Sequence, residues 1–285
     1  MIKFIKYFVQ SIFIYVFFLI GKILGLKLSR LVFSNLFLKT AKFFKSEKIL
    51  NSNLNIFSKN ISEEEKKQIK FYMWKNYGMT FIEYIYLGFF RKNTSHIKIK
   101  GEKNLKFLLE KKNQAIFVSG HFANFELMSM EITKKNIKLA TIYRPLNNYF
   151  LNPFMEYLRK KYVCENQIKK GLNGVRDAIN FIKKGSSIAM MIDQRVSEGE
   201  KVNFFSKPAL TTTLPAHLAI KFNLPIIPVY IERTKDNNFF VEFHKEINPK
   251  EFLNKIELTQ KLNQILENMI KKNPRQWIWT HNRWK

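Results

Sequence analysis

The sequence predicts an α/β fold in which a mixed, mostly parallel sheet is covered by helices and preceded by an N-terminal membrane helix. Two observations support this prediction: short apolar runs alternate with helical segments after residue 91, and residues 4–26 are almost continuously apolar. Alternating strands and helices favour a parallel sheet, because parallel neighbours need crossover connections. The chain has 285 residues, 46% of them hydrophobic, which is enough to bury the core of one large domain.

The first element is the apolar segment of residues 4–26. As a helix, these 23 residues would extend roughly 34 Å, long enough to span or deeply enter a bilayer. A signal peptide is a competing interpretation, but no small-residue cleavage site follows the segment. A buried core helix also remains open, because the uninterrupted apolar run at residues 12–20 is short.

The next segment, residues 27–45, mixes leucine and phenylalanine with lysine and arginine. This pattern is typical of a helix that lies in the membrane interface, with apolar side chains among the lipids and lysines at lipid phosphates. We therefore predict that residues 1–45 anchor the chain in a membrane. The main domain is assigned to residues 91–285, with its boundary near residues 91–100.

Between these parts, residues 46–90 form an accessory helical segment. Ser62 and Glu65 have the spacing of a capping box, in which each side chain bonds the backbone amide of the other residue. They are expected to open one long, aromatic-rich helix that continues to about Phe90.

Within the main domain, apolar runs bounded by turn residues predict strands, and the segments between them predict helices. The strands are expected at residues 96–100, 114–119, 138–143, 186–192, 225–232 and 239–244. The helices are expected at residues 102–111, 124–135, 148–162, 171–184, 212–222 and 250–272, and Pro274 ends the last helix.

The composition is strongly basic, since 49 lysines and arginines against 22 acidic residues give a net charge of +27. Such a surface attracts nucleic acid, an anionic membrane or an acidic protein. Most of the excess is lysine, and asparagine, isoleucine and phenylalanine are also abundant, so an AT-biased coding sequence is an alternative origin of the charge. The single Cys164 excludes a disulfide framework and a multi-cysteine metal site, and we expect neither a metal nor a cofactor.

The main candidate for chemistry is the segment SGHFANFE at residues 119–126. An apolar strand ends just before His121, and Asn124 suits the N-cap of the helix that follows. His121 is therefore placed at the carboxyl end of a strand, where α/β sheets bind their ligands. A turn would let Glu126 hydrogen-bond one imidazole nitrogen and leave the other as a general base. The alternative is that Glu126 only complements the helix dipole and His121 packs at the strand end.

This segment resembles the H-x4-D/E signature of the lipid A biosynthesis acyltransferases, the lauroyl/myristoyl transferase family of Gram-negative bacteria. Further blocks agree with that family in order: YRPL at 143–146, DQ at 193–194, FFSKPALTTT at 204–213, PIIPVYIER at 225–233 and QWIWTHNRWK at 276–285. Three residues depart from the usual pattern: Ala123 and Phe125 in the first block, and Ser206 in place of a glycine. One such block would be weak, whereas six in order make a specific resemblance.

The resemblance implies a glycerophosphate-acyltransferase-like fold and transfer of a fatty acyl chain from an acyl carrier protein thioester to a hydroxyl of a lipid A precursor. His121 would be the general base and Glu126 its carboxylate partner. Arg144, with backbone amides near Gly120, would stabilise the tetrahedral oxyanion. The expected partners are the acidic carrier protein, an anionic glycolipid acceptor and the membrane, and not nucleic acid. The expected location is the cytoplasmic face of the bacterial inner membrane.

The block at the end of the fourth predicted strand adds Asp193 and Gln194 as candidate substrate-binding residues. Asp193 could orient either Arg144 or His121, or it could simply form a turn with Gln194. Arg144 itself presents five donors in a fixed plane, which suit a phosphate or a developing oxyanion. A surface position beside Pro145 is the alternative for that arginine.

The later blocks add Thr211, Thr212 and Arg233. The threonine hydroxyls could bind a phosphate or cap the helix that follows them. Arg233 could pair with an anionic substrate or with the surroundings of Glu232. The other aromatic and histidine residues are assigned structural roles: packing and interface anchoring for Trp277, Trp279 and Trp284, and packing for His96, His217, His244 and His281.

Two other functions remain open at this point. A related acyltransferase that acts on another membrane glycolipid or phospholipid would use the same chemistry. A non-catalytic basic protein that binds membranes or nucleic acid is compatible with the charge, but the sequence contains no helix-turn-helix, zinc, RNP or KH signature.

Overall fold

The structure, a computed structural model, describes residues 2–44, 46–110 and 113–285. Lys45 and Lys111, at which the predicted interfacial segment and one predicted helix end, lie outside these residues, as do Met1 and Lys112. The helices are α1 (Ile2–Phe44), α2 (Glu47–Phe57), α3 (Glu63–Glu83), α4 (Leu87–Lys92), α5 (Lys106–Glu110), α6 (Glu126–Lys134), α7 (Asn152–Tyr162), α8 (Leu172–Lys183), α9 (Leu214–Phe222) and α10 (Lys255–Lys272). The strands are β1 (Ile97–Lys100), β2 (Ile116–Ser119), β3 (Leu139–Tyr143), β4 (Asn166–Lys169), β5 (Ser187–Met191), β6 (Glu200–Phe204), β7 (Lys207–Thr211), β8 (Ile226–Arg233) and β9 (Phe239–Phe243).

Seven of the strands that the structure describes form one sheet in the order β1-β9-β8-β2-β5-β3-β4. Among the described residues of this sheet, β8 and β9 pair antiparallel and the other neighbouring strands are parallel, whereas β6 and β7 form a separate antiparallel hairpin. The predicted mixed, mostly parallel sheet is therefore confirmed. The central strand β2 is buried along its whole length, as expected for a strand with helices on both faces.

The six predicted strands all form, but the sequence pattern did not reveal β4 or the β6–β7 hairpin. β4 is a four-residue edge strand with the polar sequence NQIK, and β6 begins with two exposed charged residues, so neither has a recognisable apolar run. The hairpin turns at Phe205 and Ser206, whose φ angles of 52° and 57° are both positive. Positive φ at both central residues is typical of a type I′ hairpin turn, a conformation that glycine adopts more easily than serine.

The predicted long helix from residue 62 is interrupted. It begins as predicted, because the Ser62 hydroxyl accepts from the Glu65 amide and the Glu65 carboxylate accepts from the Ser62 amide. α3 then ends at Glu83, and a single 3-10 turn separates it from α4. The two tyrosines in this turn donate to distant acceptors, Tyr84 to the Glu126 carboxylate and Tyr86 to the Gly21 carbonyl. These tertiary contacts outweigh the local preference for a continuous helix.

The N-terminal helix α1 bends sharply at Gly25, where φ is 74° and ψ is 166°. The rings of Phe17 and Phe33 are only 5.7 Å apart, whereas sixteen residues of straight helix would separate them by about 24 Å. The two predicted N-terminal segments are therefore distinct halves that meet around Phe81 of α3. An 18-residue stretch within Ile2–Ala41 has a mean hydropathy of 2.0, and this part of α1 is long and apolar enough to cross a membrane, by length and composition.

The first half of α1 lies against the loop that precedes α7. The Tyr15 hydroxyl donates to the Phe150 carbonyl at 2.9 Å, and the Asn148 amide group donates to the Tyr7 carbonyl at 2.8 Å. The opposite side of the helix leaves large apolar side chains exposed, including Phe13 at 59%. This apolar side is compatible with association with a membrane.

The accessory segment packs into the same hydrophobic core as the sheet. Leu54 of α2, Met73 of α3 and Phe117 of β2 are all fully buried in one cluster. One hydrophobic core therefore contains residues from both sides of the predicted boundary near residue 91.

A buried ionic cluster joins α1, α3 and β8. The fully buried Glu83 accepts from Arg30 and from Arg233, and it also accepts from the side chain of Asn124. Burial alone raises the pKa of the Glu83 carboxyl, but the two guanidinium groups outweigh this effect and lower its pKa. The carboxylate is therefore ionised and compensates two buried cations.

We expect Glu83→Ala to destabilise the protein by about 3–5 kcal/mol, because removal of one partner leaves buried charges without compensation. Urea unfolding at neutral pH measures this change. Glu64→Ala, which removes an exposed carboxylate from the same helix, is the matched control and should change stability by less than about 0.5 kcal/mol. Equal stability of the two variants would contradict the structural role of Glu83.

Candidate active site

The candidate site lies at the carboxyl ends of the parallel strands. β2 and β5 are neighbours in register, with Ser119 opposite Met191. Two residues beyond each of these positions, the chain carries His121 and Asp193. Parallel register therefore brings the two side chains together, although they are 72 residues apart in sequence.

His121 and Asp193 form a close pair. The imidazole Nδ1 lies 2.7 Å from Asp193 Oδ1, and the His121 backbone amide donates to Oδ2 at 2.7 Å. The indole N–H of the fully buried Trp277 donates to the same Oδ2 at 2.9 Å. Three N–H donors thus converge on one carboxylate, which fixes the orientation of the ring.

The Asp193 carboxylate is ionised despite its complete burial. Burial alone raises its pKa, but the His121 charge and the hydrogen bonds from His121 and Trp277 outweigh burial and lower the pKa. An ionised carboxylate can only accept, so when the ring holds a single proton, Nδ1 carries it. The Nε2 atom then holds a free lone pair, and among the described residues it makes no hydrogen bond.

The prediction that Glu126 pairs with His121 is wrong. Glu126 Oε1 instead accepts from the Tyr84 hydroxyl at 2.7 Å and from Arg159 Nε at 2.7 Å. The reason is the strand register, which places Asp193 directly beside the imidazole. Of the alternatives that the sequence left open for Asp193, the structure selects orientation of His121.

The turn from His121 to Glu126 is held by three hydrogen bonds to two other parts of the chain, α3 and the segment at Gln276. The Ala123 amide donates to the Gln276 carbonyl at 3.1 Å, and the Thr80 hydroxyl donates to the Ala123 carbonyl at 3.0 Å. Asn124 does not cap the helix as predicted, because its side chain donates to Glu83 and α6 begins only at Glu126. Ala123 has a φ of 44°, a conformation that these bonds stabilise.

These bonds also occupy the amides that were expected to stabilise an oxyanion near Gly120. The amides of His121, Phe122 and Ala123 donate to Asp193, to the Gly120 carbonyl and to the Gln276 carbonyl. A substrate oxygen therefore cannot use them without breaking the turn.

His121 opens onto a cavity of about 640 Å³, a size typical of small-molecule sites. Glu126, Tyr84 and Arg159 lie in its wall. Arg144, which was predicted to stabilise the oxyanion, also lies there, as do Gln194 and Thr212, two of the predicted substrate-binding residues. The remaining wall is partly apolar, with contributions from Phe125, Ile142, Leu146, Met190, Met191, Leu214 and Ile278. The cavity thus combines a histidine with an open ring nitrogen, several polar groups and apolar surface.

Arg159 of α7 was not singled out by the sequence. It bonds both Glu126 and the Tyr84 hydroxyl, and its Nη1 is buried without a hydrogen-bond partner among the described residues. Burial alone lowers the pKa of Arg159, but the Glu126 carboxylate outweighs it and raises the pKa. The guanidinium group is therefore a fixed cation with one donor to spare. In the sequence it stands in the basic run RKKY, which resembles a solvated helix face.

Two predicted substrate-binding residues lie away from the cavity. Thr211 is buried, and its hydroxyl oxygen accepts from Arg283 Nη2 at 2.6 Å. Arg233 belongs to the buried Glu83 cluster. Its charge is compensated there by the Glu83 carboxylate and not by the anionic substrate that the sequence predicted. Arg144 is exposed in the cavity wall.

The structure changes some of the roles that the sequence predicted for the tryptophan and histidine side chains. Trp277 and Trp279 are fully buried, so they pack in the core and do not anchor the protein at an interface. His281, which was assigned a structural role, lines the same cavity as His121.

A model of the bacterial lipid A biosynthesis acyltransferase family matches residues 2–285 of the chain. The lipid A biosynthesis palmitoleoyltransferase of Escherichia coli (strain K12) is 24% identical over 253 residues, which are 85% of this chain and 79% of that protein. The lipid A biosynthesis lauroyltransferase of the same organism is 23% identical over 246 residues, covering 84% and 78% respectively. The solved structure of the 1-acyl-sn-glycerophosphate acyltransferase of Thermotoga maritima is similar with a TM-score of 0.42 and 18% identity, covering 89% of this chain and 100% of that one.

The family match and the two Escherichia coli relatives agree with the resemblance found in the sequence blocks. Because the family match extends over almost the whole chain, the protein belongs to the bacterial lipid A biosynthesis acyltransferase family and is an acyltransferase.

Proposed function

We propose that this acyltransferase transfers a fatty acyl chain from an acyl carrier protein thioester to a hydroxyl of a lipid A precursor, with His121 as the general base. The observation that carries this proposal is the His121–Asp193 pair, in which the buried carboxylate holds Nδ1 at 2.7 Å and leaves Nε2 free at the cavity. A base with a fixed tautomer and an open lone pair suits removal of a proton from a bound hydroxyl.

The proposed reaction proceeds by direct attack. His121 Nε2 accepts the proton of the acceptor hydroxyl while the oxygen forms a bond to the thioester carbonyl carbon. The tetrahedral intermediate then collapses, the carbon–sulfur bond breaks, and the departing thiolate takes the proton from the imidazolium. The ester and the free carrier thiol are the products, and no covalent acyl-enzyme is needed. This agrees with the absence of a G-x-S-x-G motif from the sequence.

Two arginines in the cavity wall are assigned different roles. Arg159 is held in place by Glu126 and Tyr84 and keeps one unpaired donor, Nη1, which suits the negative oxygen of the tetrahedral intermediate. Arg144 is exposed and makes no ion pair with the described residues, which suits an anionic head group at the cavity mouth. The oxyanion role predicted for Arg144 is therefore proposed for Arg159 instead.

The surroundings of the cavity support a proposal for the membrane location and the partners. Leu146 in its wall belongs to the loop that also contacts the first half of α1 through Asn148 and Phe150. The cavity therefore opens beside the apolar helix, where a membrane lipid could enter it. We place the protein at the cytoplasmic face of the bacterial inner membrane, where its net charge of +27 would attract an acidic carrier protein.

We expect Arg159→Lys to lower kcat/KM for acyl transfer by about 10²-fold, because a lysine cannot bond Glu126 and Tyr84 in one plane while offering a further donor. Steady-state kinetics with a purified acyl carrier thioester measures this change. Arg176→Lys, which alters an exposed arginine of α8, is the matched control and should behave as wild type. Equal kinetics of the two variants would remove Arg159 from the proposed mechanism.

The acceptor is tested by mass spectrometry of total lipids from a strain that lacks this gene. The expected result is lipid A that has lost one acyl chain, restored by the wild-type gene but not by the His121→Ala variant. Loss of an acyl chain from another glycolipid or from a phospholipid, with unchanged lipid A, would contradict the proposed acceptor and favour a related acyltransferase.

A further inference from the structure

A second cavity, of about 890 Å³, lies between the second half of α1, α3 and the segments at residues 232–237 and 272–276. It shares no lining residue with the His121 cavity. Arg30 and Arg233 line it, and their buried partner Glu83 also bonds Asn124 of the catalytic turn. The buried ionic cluster therefore separates this second groove from the active site.

The groove is strongly basic. Besides Arg30 and Arg233, its lining includes Lys27, Lys75, Lys235, Lys272 and Arg275. Lys272 pairs with Glu242 at 3.1 Å. By contrast, Lys27 and Lys235 make no ion pair with any described residue, and the Lys75 ammonium lies 5.2 Å from the centre of the Phe71 ring. Glu232 is the one acidic residue in the lining, and the Asn273 side chain already donates to it at 2.8 Å. Positive charge in the groove is thus left uncompensated within the part of the chain that the structure describes.

Arg30 supplies an unsatisfied donor in this groove. It is only 9% exposed, its Nε donates to Glu83 at 2.7 Å, and its Nη2 is buried without a hydrogen-bond partner among the described residues. A buried guanidinium N–H without an acceptor is unfavourable, so an oxygen-rich anion in the groove would satisfy it. Phosphate oxygens have the geometry that guanidinium groups bind best.

One wall of the groove is apolar and belongs to the candidate membrane helix. Leu28 and Leu31 line the groove, yet they are 52% and 56% exposed. The neighbouring Val32 is 43% exposed on the same half of α1. Basic side chains next to exposed leucines of a membrane helix match an amphiphile with a phosphate head and an acyl chain.

We propose that this groove binds the phosphate head group of an anionic membrane phospholipid, whose acyl chain lies along Leu28 and Leu31 of α1. An acidic protein surface fits the groove less well, because its carboxylates would have to reach the recessed Arg30 while leaving the exposed leucines uncovered. The site is separate from the acyl acceptor site, and binding does not depend on the transfer reaction.

The test uses the full-length His121→Ala protein in nanodiscs, so that failure of the proposed reaction cannot affect the result. Photoactivatable phosphatidylglycerol and photoactivatable phosphatidylcholine with the same chains are crosslinked, and the labelled peptides are identified by mass spectrometry. We expect phosphatidylglycerol to label residues 26–34 and 72–79 on the order of tenfold more strongly, since each basic side chain near an anionic lipid contributes about fivefold in affinity.

The groove is then altered by the combined substitutions Lys75→Glu, Lys235→Glu and Arg275→Glu, which should remove the preference for phosphatidylglycerol. The matched control combines Lys103→Glu, Lys201→Glu and Lys250→Glu, which reverse the same number of charges at exposed positions outside both cavities and should retain the preference. Equal unfolding temperatures of the two triple variants show that both are folded.

Equal labelling of the two variants would overturn the proposal. Loss of labelling in excess inorganic phosphate, or in excess acyl carrier protein, would also overturn it by assigning the groove to the free ion or to an acidic protein.

Discussion

Replacement of His121 by alanine is expected to lower kcat for acyl transfer by about 10³-fold, which is within the contribution of a well-placed general base. The side chain that accepts the hydroxyl proton is lost, whereas the turn that carries it remains held by Gln276, Thr80 and Glu83. The measurement is single-turnover transfer from an acyl carrier thioester, followed by mass spectrometry of the acceptor. Association with membranes should be unchanged, because α1 is far from the substitution in the sequence and does not bond His121.

The control for this substitution is His217→Ala. His217 is exposed on α9 and lies outside the lining of the His121 cavity, so its loss should leave kcat within about twofold of wild type. Full activity of the His121 variant would show that proton removal does not use this imidazole, and the proposed mechanism would then have to be abandoned.

Asp193→Asn is expected to lower kcat by about 10²-fold or more while KM changes little, because Asp193 positions His121 and does not line the cavity. The carboxylate accepts three N–H donors, from the His121 ring, the His121 backbone and Trp277. An asparagine must turn its NH₂ group toward at least one of these donors. If the NH₂ group faces Nδ1, the ring takes the opposite tautomer and Nε2 carries a proton, so the base is lost.

The same substitution has a pH-dependent effect on stability. Because the folded-state pKa of Asp193 is lowered, its ionisation stabilises the fold above the unfolded pKa of about 3.9 and this contribution is lost as the pH falls through the lower folded value. The difference in unfolding free energy between wild type and Asp193→Asn should therefore have its largest value at neutral pH and become smaller below about pH 4. A matched control is Asp177→Asn, which alters an exposed aspartate. A difference that stays constant down to low pH would contradict ionisation of Asp193 in the folded protein.

The sequence singled out His121, the proposed base, but assigned it the wrong carboxylate partner. His121 was recognisable because an apolar strand ends two residues before it, and the family resemblance gave it a role. Its partner depends on which strands are neighbours, and β5 lies beside β2 only because β3 and β4 are placed farther out. The order of strands in the sheet is determined by tertiary packing, so local sequence patterns do not predict it. Once β2 and β5 are known to pair, the equal spacing of His121 and Asp193 from Ser119 and Met191 makes the contact predictable.

Buried charges were the other feature that the sequence did not reveal. Arg159 stands in a basic run that resembles solvated surface, and Arg233 at the end of an apolar strand was expected to meet an anionic substrate. Both are mostly buried and bonded to carboxylates from distant helices. Their partners, Glu126 and Glu83, are acidic residues in helices, and the local sequence does not mark them as buried. Only packing determines that these four charges lie inside the fold, where they orient the cavity wall and the catalytic turn.

The central claim, that His121 activates a lipid hydroxyl and not water, is tested most directly by following the fate of the thioester with and without acceptor. Purified protein is incubated with an acyl carrier thioester, and the ester, the free fatty acid and the free carrier thiol are quantified together by mass spectrometry. The predicted result is that the thioester is consumed only when the lipid A precursor is present, with one ester formed for each thiol released. Consumption at the same rate without acceptor, with free fatty acid as the product, would contradict the claim.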